Sequence, residues 1–298
     1  MSKQNFKIAL FYRVWFDSGE KFLAAARKSG IELVPVHYDD LILKQKGTGF
    51  DIYYQGEPLS DFSLFYFRAV GEATEWANLL VAYAKSKQIP FVDEYLGIWG
   101  PARRLKSFSG IILAENRVAY PQTSLVSRED RLFEEVKNFS FPLILKVSKG
   151  GRHGIGTLLV KDEQMLARVI KGRIERSSFL LQEYLPNDGD YRLFLVGYQV
   201  LGGFKRQKKE EKLVLNRSAG TSANLEKIPS QIINLAQKAA SVLKVEVAAI
   251  DLVINQKTGQ PVIIEVNEAP EFYVFEKRTG INVAQKVVEF LITKAKTG

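Results

Sequence analysis

Two apolar segments near the C-terminus carry the side chains with the clearest chemical potential. The segment VAAIDLVI contains Asp251, and the segment PVIIEVN contains Glu265 and Asn267. A hairpin centred on Thr258 places Asp251 opposite Glu265, and two-residue alternation puts Asn267 on the same face. Two carboxylates in an apolar context are costly without a cation, and an all-oxygen ligand set suits Mg²⁺. The pattern alone is equally compatible with a solvated outer face of an edge hairpin.

A glycine-rich loop lies between two predicted strands, LILKV and TLLV. It reads GGRHGIG over residues 150–156 and includes Gly151, Gly154 and Gly156. Glycines let backbone N–H groups approach phosphate oxygens closely, although a plain hairpin turn is the more frequent origin of such a loop. It is not a P-loop, since no Gly-Lys-Ser/Thr ends it. Lys146 in the apolar strand favours phosphate binding, because a buried ammonium group requires an anionic partner.

Other chemistries have weaker support in the sequence. The basic run from Lys205 to Lys212 is typical of a solvated loop, and no aromatic residues or nucleic-acid motif accompany it. His37 and His153 are the two histidines, and no Gly-x-Ser-x-Gly elbow supports a catalytic triad. The chain has no cysteine, which excludes disulfides, thiolate zinc sites and a cysteine nucleophile.

The charge of the chain is unevenly distributed. The 298 residues have a formal net charge of +9, but residues 1–100 contain 11 Lys/Arg against 12 Asp/Glu, and residues 101–298 contain 31 against 21. A basic region of this kind binds nucleic acid, a membrane surface or a polyanionic small ligand. With 46% hydrophobic residues, no apolar run near 20 residues and no signal peptide, the sequence predicts a soluble, cytoplasmic protein.

The elements that must position these side chains fall into three predicted segments. Residues 1–100 alternate strands and helices, which indicates a parallel sheet of Rossmann-like pattern, without the glycines of a dinucleotide-binding turn. Residues 101–185 contain two helices followed by the strands that flank the glycine-rich loop. Residues 186–298 contain a hairpin at Gly197, a helix, the acidic hairpin and a final amphipathic helix.

Several motifs follow one another in an order that resembles an ATP-grasp ligase, most closely its RimK-like branch. In chain order they are Lys106, FPLILK, GGRHGIG, LLQEY, DYR, Asn216, AAIDLVI, IIEVNEAP and FEKRTGINVA. The resemblance covers residues 100–298 strongly and the first hundred in pattern, where FRAVG is similar to a short Arg-containing stretch of the branch. It implies an α/β fold class, α+β in the C-terminal part. The three segments become an N-terminal Rossmann-like pre-ATP-grasp domain, a small central α+β lid domain and a C-terminal α+β domain.

The resemblance also implies site residues and cofactors. Asp251, Glu265 and Asn267 would hold two Mg²⁺ ions, with Mn²⁺ as an alternative, that bridge the phosphates of ATP. The ATP-binding set is Lys106, Lys146, Gly151, Gly154, Gly156, Gln182, Glu183, Tyr184, Leu185 and Asp190, with residues 182–185 against the adenine and the glycine-rich loop as a lid. Arg192 and Arg206 would bind the transferred phosphoryl group and the acid substrate, and Asn216 would lie beside the terminal phosphate.

The implied function is an ATP- and Mg²⁺-dependent carboxylate–amine ligase that forms an acyl phosphate and releases ADP and phosphate. Such chemistry needs positioning and charge neutralisation more than a protein nucleophile. The implied partners are a small-molecule, peptide or protein carboxylate and an amine or amino acid. A homo-oligomer, dimer or tetramer, is also implied, and no membrane or nucleic acid. The alternatives are a small-molecule ATP-grasp ligase that makes a dipeptide or modifies a cofactor, and a non-catalytic nucleotide- or nucleic-acid-binding protein.

Two positions depart from the pattern of the branch. Glu271 stands where a glycine commonly follows the proline after Asn267, and it adds a charge where the backbone would otherwise approach the substrate. The segment NRSAGT, which begins at Asn216, lacks the His-Arg-Gly-Gly of the branch that ligates glutamate onto a ribosomal protein. This second departure argues against the same glutamate-ligating activity.

Overall fold

The computed structural model describes residues 6–16, 18–101, 106–147, 157–171, 178–207, 220–223 and 227–297. The elements of the N-terminal region are β1 (Lys7–Tyr12), α1 (Gly19–Ser29), β2 (Glu32–His37), β3 (Leu41–Lys46), β4 (Gly49–Tyr54), β5 (Glu57–Pro58), β6 (Leu64–Ala69), α2 (Thr74–Ser86), β7 (Phe91–Val92) and α3 (Tyr95–Trp99). Four strands form a parallel sheet in the order β2-β1-β6-β7. This sheet confirms the predicted Rossmann-like pattern, whereas the small antiparallel sheet β3-β4-β5 was not expected.

Helix α1 shows how the sequence specifies these elements. Phe22, Ala25 and Ala26 are buried, and their spacing of three and four residues puts them on one face of the helix. Gly30 ends the helix in the left-handed conformation with φ of 69°, and its N–H donates to the carbonyl of Arg27. A residue with a Cβ is strained at this φ, which explains the glycine.

The central region is built around a second sheet. Its elements are α4 (Lys106–Glu115), β8 (Thr123–Val126), α5 (Glu129–Glu135), β9 (Leu143–Val147), β10 (Thr157–Val160), α6 (Glu163–Lys171) and β11 (Phe179–Glu183). The sheet order is β10-β9-β11-β8, and all the neighbouring pairs are antiparallel. Strands β9 and β10 pair as predicted on either side of the glycine-rich loop. The edge strand β8 was not predicted.

The C-terminal region contains the sheet that carries the acidic hairpin. Its elements are β12 (Gly189–Val196), β13 (Gln199–Gln207), β14 (Gly220–Ala223), α7 (Ser230–Val242), β15 (Val247–Ile254), β16 (Pro261–Asn267), α8 (Tyr273–Thr279) and α9 (Val283–Thr297). The antiparallel sheet has the order β14-β13-β12-β15-β16. Gly197 in the β12–β13 turn has φ of 57°, as expected for a tight hairpin. At Gly203 a Cβ would meet the carbonyl oxygen of Arg192 at 2.7 Å, so only glycine allows this close pairing.

The buried cores divide the chain differently from the predicted segments. One core packs side chains of the N-terminal region, such as Phe65 and Leu80, with Leu193 and Ile250 of the C-terminal sheet and with helix α7. A second core joins the other faces of the same two sheets and includes helix α9. A third core contains only residues between 126 and 181. The N- and C-terminal regions therefore share their hydrophobic cores, which also include Ile112 and Leu113 of α4, whereas the sheet of the central region has a core of its own.

A buried polar cluster also joins the N- and C-terminal regions. Asp93 is 2% exposed, and its Oδ1 accepts hydrogen bonds from the backbone N–H groups of Glu246 and Val247 at 2.6 and 3.0 Å. Glu246 in turn accepts from the backbone N–H of Glu94 at 3.0 Å and pairs with Lys294 of α9. Burial, reinforced by the charge of Glu246, raises the pKa of Asp93 well above its ordinary value.

Among the described helices, none has the length and apolar character needed to cross a bilayer.

Candidate functional site

One face of the C-terminal sheet is polar, and it carries six of the sixteen predicted site residues. Asp190 pairs with Arg206 across β12 and β13, and Arg192 pairs with Asp251 across β12 and β15. Asp251 continues the row by pairing with Glu265 on β16, as predicted. The residues between them, such as Leu193 and Ile250, point to the opposite face, where helix α7 covers them. Alternation along the strands thus separates a charged surface from the core.

A bulge in β16 determines which of its side chains face Asp251. Near the turn, Leu252 pairs with Ile263, but Asp251 pairs with Glu265, so one residue of β16, Ile264, has no counterpart on β15. The bulge reverses the alternation of the strand beyond it. Glu265, and Asn267 two residues later, therefore share the face of Asp251. The predicted pairing is confirmed, although the regular hairpin assumed for it is not what produces it.

Two arginines neutralise the carboxylates of this face. Arg192 Nη1 lies 2.9 Å from Asp251 Oδ2, and Arg206 Nη2 lies 3.1 Å from the same oxygen. Arg206 also pairs with Asp190. Burial alone would lower the pKa of the Arg206 guanidinium, but the charges of Asp251 and Asp190 outweigh it and raise the pKa. The four side chains form one charge-balanced group at the centre of the sheet.

Asp190 is the most deeply buried member of this group. The residue is fully inaccessible to solvent, and its Oδ1 has no hydrogen-bond partner among the described residues. Burial raises the pKa of Asp190 to about 6, although the hydrogen bond and charge of Arg206 act in the opposite direction. Asp190 lies on the same face of the sheet as Arg192, and its predicted role in nucleotide binding stays a prediction.

The central sheet presents a second set of predicted residues. Lys146 on β9 is 7% exposed, and its Nζ donates to Oε1 of Gln182 on β11 at 2.7 Å. The amide of Gln182 donates onward to Thr123 Oγ1 at 3.0 Å. Glu183 Oε1 accepts a hydrogen bond of 2.9 Å from the backbone N–H of Gln122. Lys146, Gln182 and Glu183 are therefore held by a network that sequence analysis did not anticipate.

An apolar patch and a tyrosine complete the surroundings of the polar face. Leu185, Val253 and Val262 form a small buried cluster against which Ile264 packs. Tyr120 hydrogen-bonds Gln182, and burial together with the nearby charge of Glu265 raises its pKa to about 12. Among these residues only Leu185 was predicted to belong to the site. The other residues of this patch carry no sequence motif, and they lie beside the polar face only because separate elements meet there.

The side chains present fit a divalent cation of the magnesium type. Asp251 and Glu265 are register partners, and Asn267 lies on their face, so two carboxylates and an amide supply oxygen donors. Within the described ranges, no group of three or more His, Cys, Asp or Glu side chains could hold a metal by itself. Such a donor set suits a cation that takes its remaining ligands from water and from substrate phosphates, which is the usual manner of Mg²⁺.

Several predicted residues cannot be placed in this way. Asn216 and the loop residues Gly151, Gly154 and Gly156 lie outside the described residues. Lys106 is the first residue of α4, and Tyr184 follows β11 directly. The structure therefore brings together the predicted residues of strands β9, β11, β12, β13, β15 and β16, and the roles assigned to all of these residues remain proposals.

Comparisons with known proteins agree with this architecture. Residues 103–291, more than half of the chain, match the RimK-like ATP-grasp domain. A relative from Vibrio atlanticus (strain LGP32), named probable alpha-L-glutamate ligase, is 28% identical over 280 residues, which cover 93% of this chain and 91% of the relative. ATP-grasp proteins use ATP together with Mg²⁺.

Two solved structures have the same fold over nearly their full length. The RimK domain protein ATP-grasp from Sphaerobacter thermophilus DSM 20745 is 20% identical, has a TM-score of 0.71, and is matched over 96% of this chain and 99% of its own. The ATP-grasp ligase PsnB, complexed with a phosphomimetic variant of its minimal precursor, Mg and ADP, is 14% identical with a TM-score of 0.73, over 98% and 99% of the two chains. The chain described here thus belongs to the RimK-like ATP-grasp family and is a carbon–nitrogen ligase.

Proposed function

We propose that this protein joins a carboxylate to an amine with ATP, through an acyl phosphate, on the polar face of the C-terminal sheet. The observation that carries the proposal is the row Arg192, Asp251 and Glu265, which lies across three neighbouring strands with Arg206 against Asp251. The two arginines can bind phosphate and acid groups, and they lie beside carboxylates suited to a divalent metal. The family membership supports the ligase class, and the row supports the site.

Each part of the reaction has candidate residues in this arrangement. A carboxylate is a poor electrophile, because its charge and resonance repel a nucleophile. Transfer of the γ-phosphoryl group of ATP to a carboxylate oxygen, with ADP as leaving group, gives an acyl phosphate. The amine nitrogen then attacks the acyl carbon, phosphate departs, and the nitrogen loses a proton to give the amide. Arg192 and Arg206 bind the transferred phosphoryl group and the acid, and Asn216 is assigned to the terminal phosphate and the metal. This reaction requires no covalent step on the protein.

The remaining residues bind the nucleotide and the metal. Asp251, Glu265 and Asn267 would hold Mg²⁺, as two ions that share Glu265, and the metal would neutralise charge on the phosphates. Lys146 and Lys106 bind phosphate oxygens, and the glycine-rich loop with Gly151, Gly154 and Gly156 covers them. Residues 182–185 bind the adenine, which packs on the apolar cluster beside Leu185. Asp190 hydrogen-bonds the adenine amino group or the ribose.

The acid substrate is either a peptide or a small amino-acid-derived acid. PsnB, with the same fold, has a structure in complex with a phosphomimetic variant of its minimal precursor, and the Vibrio relative is named probable alpha-L-glutamate ligase. Both names are compatible with an acid–amine ligase, and they differ in the acceptor. The site described above is common to either acceptor, since the polar face serves ATP and the reacting carboxylate.

The test is a turnover assay with panels of acids and amines in the presence of MgATP. We expect ADP and phosphate release only when an acid is present, and a hydroxamate when hydroxylamine replaces the amine, because hydroxylamine traps an acyl phosphate. Glu265→Ala should abolish turnover, whereas Glu289→Ala, at an exposed position of α9, should leave it unchanged. Near-normal activity of Glu265→Ala would refute its assigned role. ADP formed without hydroxamate would refute the acyl phosphate.

A further inference from the structure

The loop between β16 and α8, residues 268–272, connects the polar face to the N-terminal region. Arg68, at the carboxyl end of β6, donates from Nη2 to the carbonyl oxygen of Pro270 at 2.7 Å. The guanidinium also lies 4.8 Å from the centroid of the Phe16 ring, and the residue is only 3% exposed. A buried cation of the N-terminal region therefore holds the backbone that directly follows Asn267.

Glu271, in the same loop, has a fixed and accessible carboxylate. Its Oε1 lies 3.6 Å from Arg68 Nη2, and its Oε2 accepts a hydrogen bond of 3.2 Å from Ser18 Oγ. The Glu271 side chain is 35% exposed, compared with 3% for Arg68. A carboxylate offers about four acceptor positions, so these two contacts orient the group and leave capacity for another donor. A solute that approaches this surface therefore meets the carboxylate of Glu271, because the guanidinium of Arg68 is buried beneath it.

The position of Glu271 relates this anion to the chemistry. Glu271 is four positions after Asn267, which limits the distance between the two Cα atoms to at most about 14 Å. A long side chain on a substrate amine at the polar face can therefore approach the Glu271 carboxylate. A half-buried carboxylate attracts a cationic side chain there and repels an acidic one.

We propose that Glu271 is a specificity-determining residue that selects a basic amine substrate, with a lysine-like or arginine-like side chain, over an acidic amine such as glutamate. This inference rests on the proposed function and names the amine class for the same site. Arg68 and Ser18 act as positioning residues, since they hold the carboxylate in place.

The experiment measures amine preference in wild-type protein, in Glu271→Gln and in Glu271→Gly. With a competent acid and MgATP, the kcat/KM for L-lysine should exceed that for L-glutamate at least about tenfold in the wild type, which corresponds to about 1.4 kcal/mol. The ratio should fall to about one in both variants. Glu289→Gln, a matched charge removal on the exposed side of α9, should keep the wild-type ratio.

Calorimetry of the two amines with the MgADP-bound protein separates this proposal from the proposed function. Absence of ADP release with every pair of substrates would refute the ligase reaction, yet the binding measurement would still decide specificity. Lysine binding that is about tenfold weaker in Glu271→Gln supports the proposal. A wild-type preference for glutamate, or an unchanged ratio of affinities in Glu271→Gln and Glu271→Gly, would overturn it.

Discussion

The central region and the C-terminal region contribute to the candidate site in different ways. The sheet of the central region, from β8 to β11, packs in a core that contains only residues between 126 and 181, whereas the C-terminal sheet is packed on both faces against parts of the chain that include the N-terminal region. The C-terminal groups Arg192, Arg206, Asp190 and Asp251 bind one another, while the central Lys146 binds an uncharged amide. One side of the site is a charge-balanced group of four side chains, and the other side belongs to a sheet with a separate core.

The difference indicates that the two regions have different functions in the proposed reaction. In the proposed reaction, metal binding and phosphoryl transfer require ligands held in place, and a sheet packed against two cores can hold them. Nucleotide entry and product release in that reaction require a cover that opens, and we expect the central sheet, with its separate core, to provide it. The following predictions test this contrast, beginning with the largest expected effect.

Asp251→Asn should produce the largest loss of function. It removes a candidate metal ligand and the counter-ion shared by Arg192 and Arg206, so we expect turnover to fall by at least about 10³-fold and the free energy of unfolding to fall by about 3 kcal/mol. ADP-release assays and chemical denaturation measure the two effects. Asp130→Asn, at an exposed ion pair on α5, is the control and should change neither. Retention of both activity and stability would refute the role of Asp251 as the centre of the charge group.

Phe275→Ala and Leu181→Ala should separate the two kinds of core. Phe275 is fully buried in the core shared by the N- and C-terminal regions and contacts Phe194, whereas Leu181 is fully buried in the central core. Each truncation should cost about 3 kcal/mol locally. Hydrogen exchange should accelerate in both terminal regions for Phe275→Ala, but only within residues 123–183 for Leu181→Ala. Acceleration throughout the chain in Leu181→Ala would show that the central region is not independent.

Lys146→Met should weaken nucleotide binding with little effect on the fold. The methionine side chain fills similar space but cannot bind phosphate or donate to Gln182, so we expect the Kd for MgADP to rise about 30-fold, or about 2 kcal/mol. Calorimetry measures the Kd, and Tm should change by no more than about 2 °C. Lys161→Met, at an exposed position after β10, serves as the control. An unchanged Kd would remove Lys146 from the phosphate site.

The smallest expected effect is a pH-dependent change in Tm on substitution of Asp93, in the buried polar cluster that joins the N- and C-terminal regions. Because burial and the charge of Glu246 raise the pKa of Asp93 in the folded protein, its stabilising contribution is complete below the unfolded pKa near 4 and is lost as pH rises through the folded pKa. Asp93→Asn retains an acceptor for the two backbone N–H groups but cannot ionise. Its Tm should equal that of the wild type near pH 4 and exceed it by about 2 °C at pH 8. A lower Tm at pH 8 would contradict this account.

Much of the fold could be predicted because local signals and periodicity were unambiguous. The parallel sheet followed from alternating strands and helices, and helix α1 ended at the expected glycine. The pairing of Asp251 with Glu265 followed from the length of one hairpin. The small sheet β3-β4-β5 was missed because most side chains of β3 are exposed, so it lacks the buried alternation that identifies a strand. The edge strand β8 is short and carries only one buried residue, Val126.

The candidate site was predictable where chemistry restricts residue type, and less so where contacts alone define it. Carboxylates and lysines within apolar strands are conspicuous, and Asp251 and Lys146 were identified in this way. Tyr120 and Ile264 are ordinary residues in sequence, and only the meeting of separate elements places them beside the polar face. The hydrogen-bond and ion-pair partners of Arg68, which are Pro270 and Glu271, lie at least 202 residues away along the chain, and no local pattern predicts such contacts.

The bulge at Ile264 determines which side chains of β16 lie on the polar face, because one extra residue shifts the alternation of the strand. If the register near the turn continued unchanged, Ile264 would pair with Asp251 and Val266 with Ala249, and Glu265 would enter the apolar interior opposite Ile250. Loss of the bulge at the same strand length would thus replace ligands by hydrophobic side chains, whereas deletion of Ile264 would let Glu265 follow Ile263 directly and keep its pairing with Asp251 in a regular ladder. At the length that β16 has, the extra residue at the bulge puts Glu265 and Asn267 on the polar face rather than in the core.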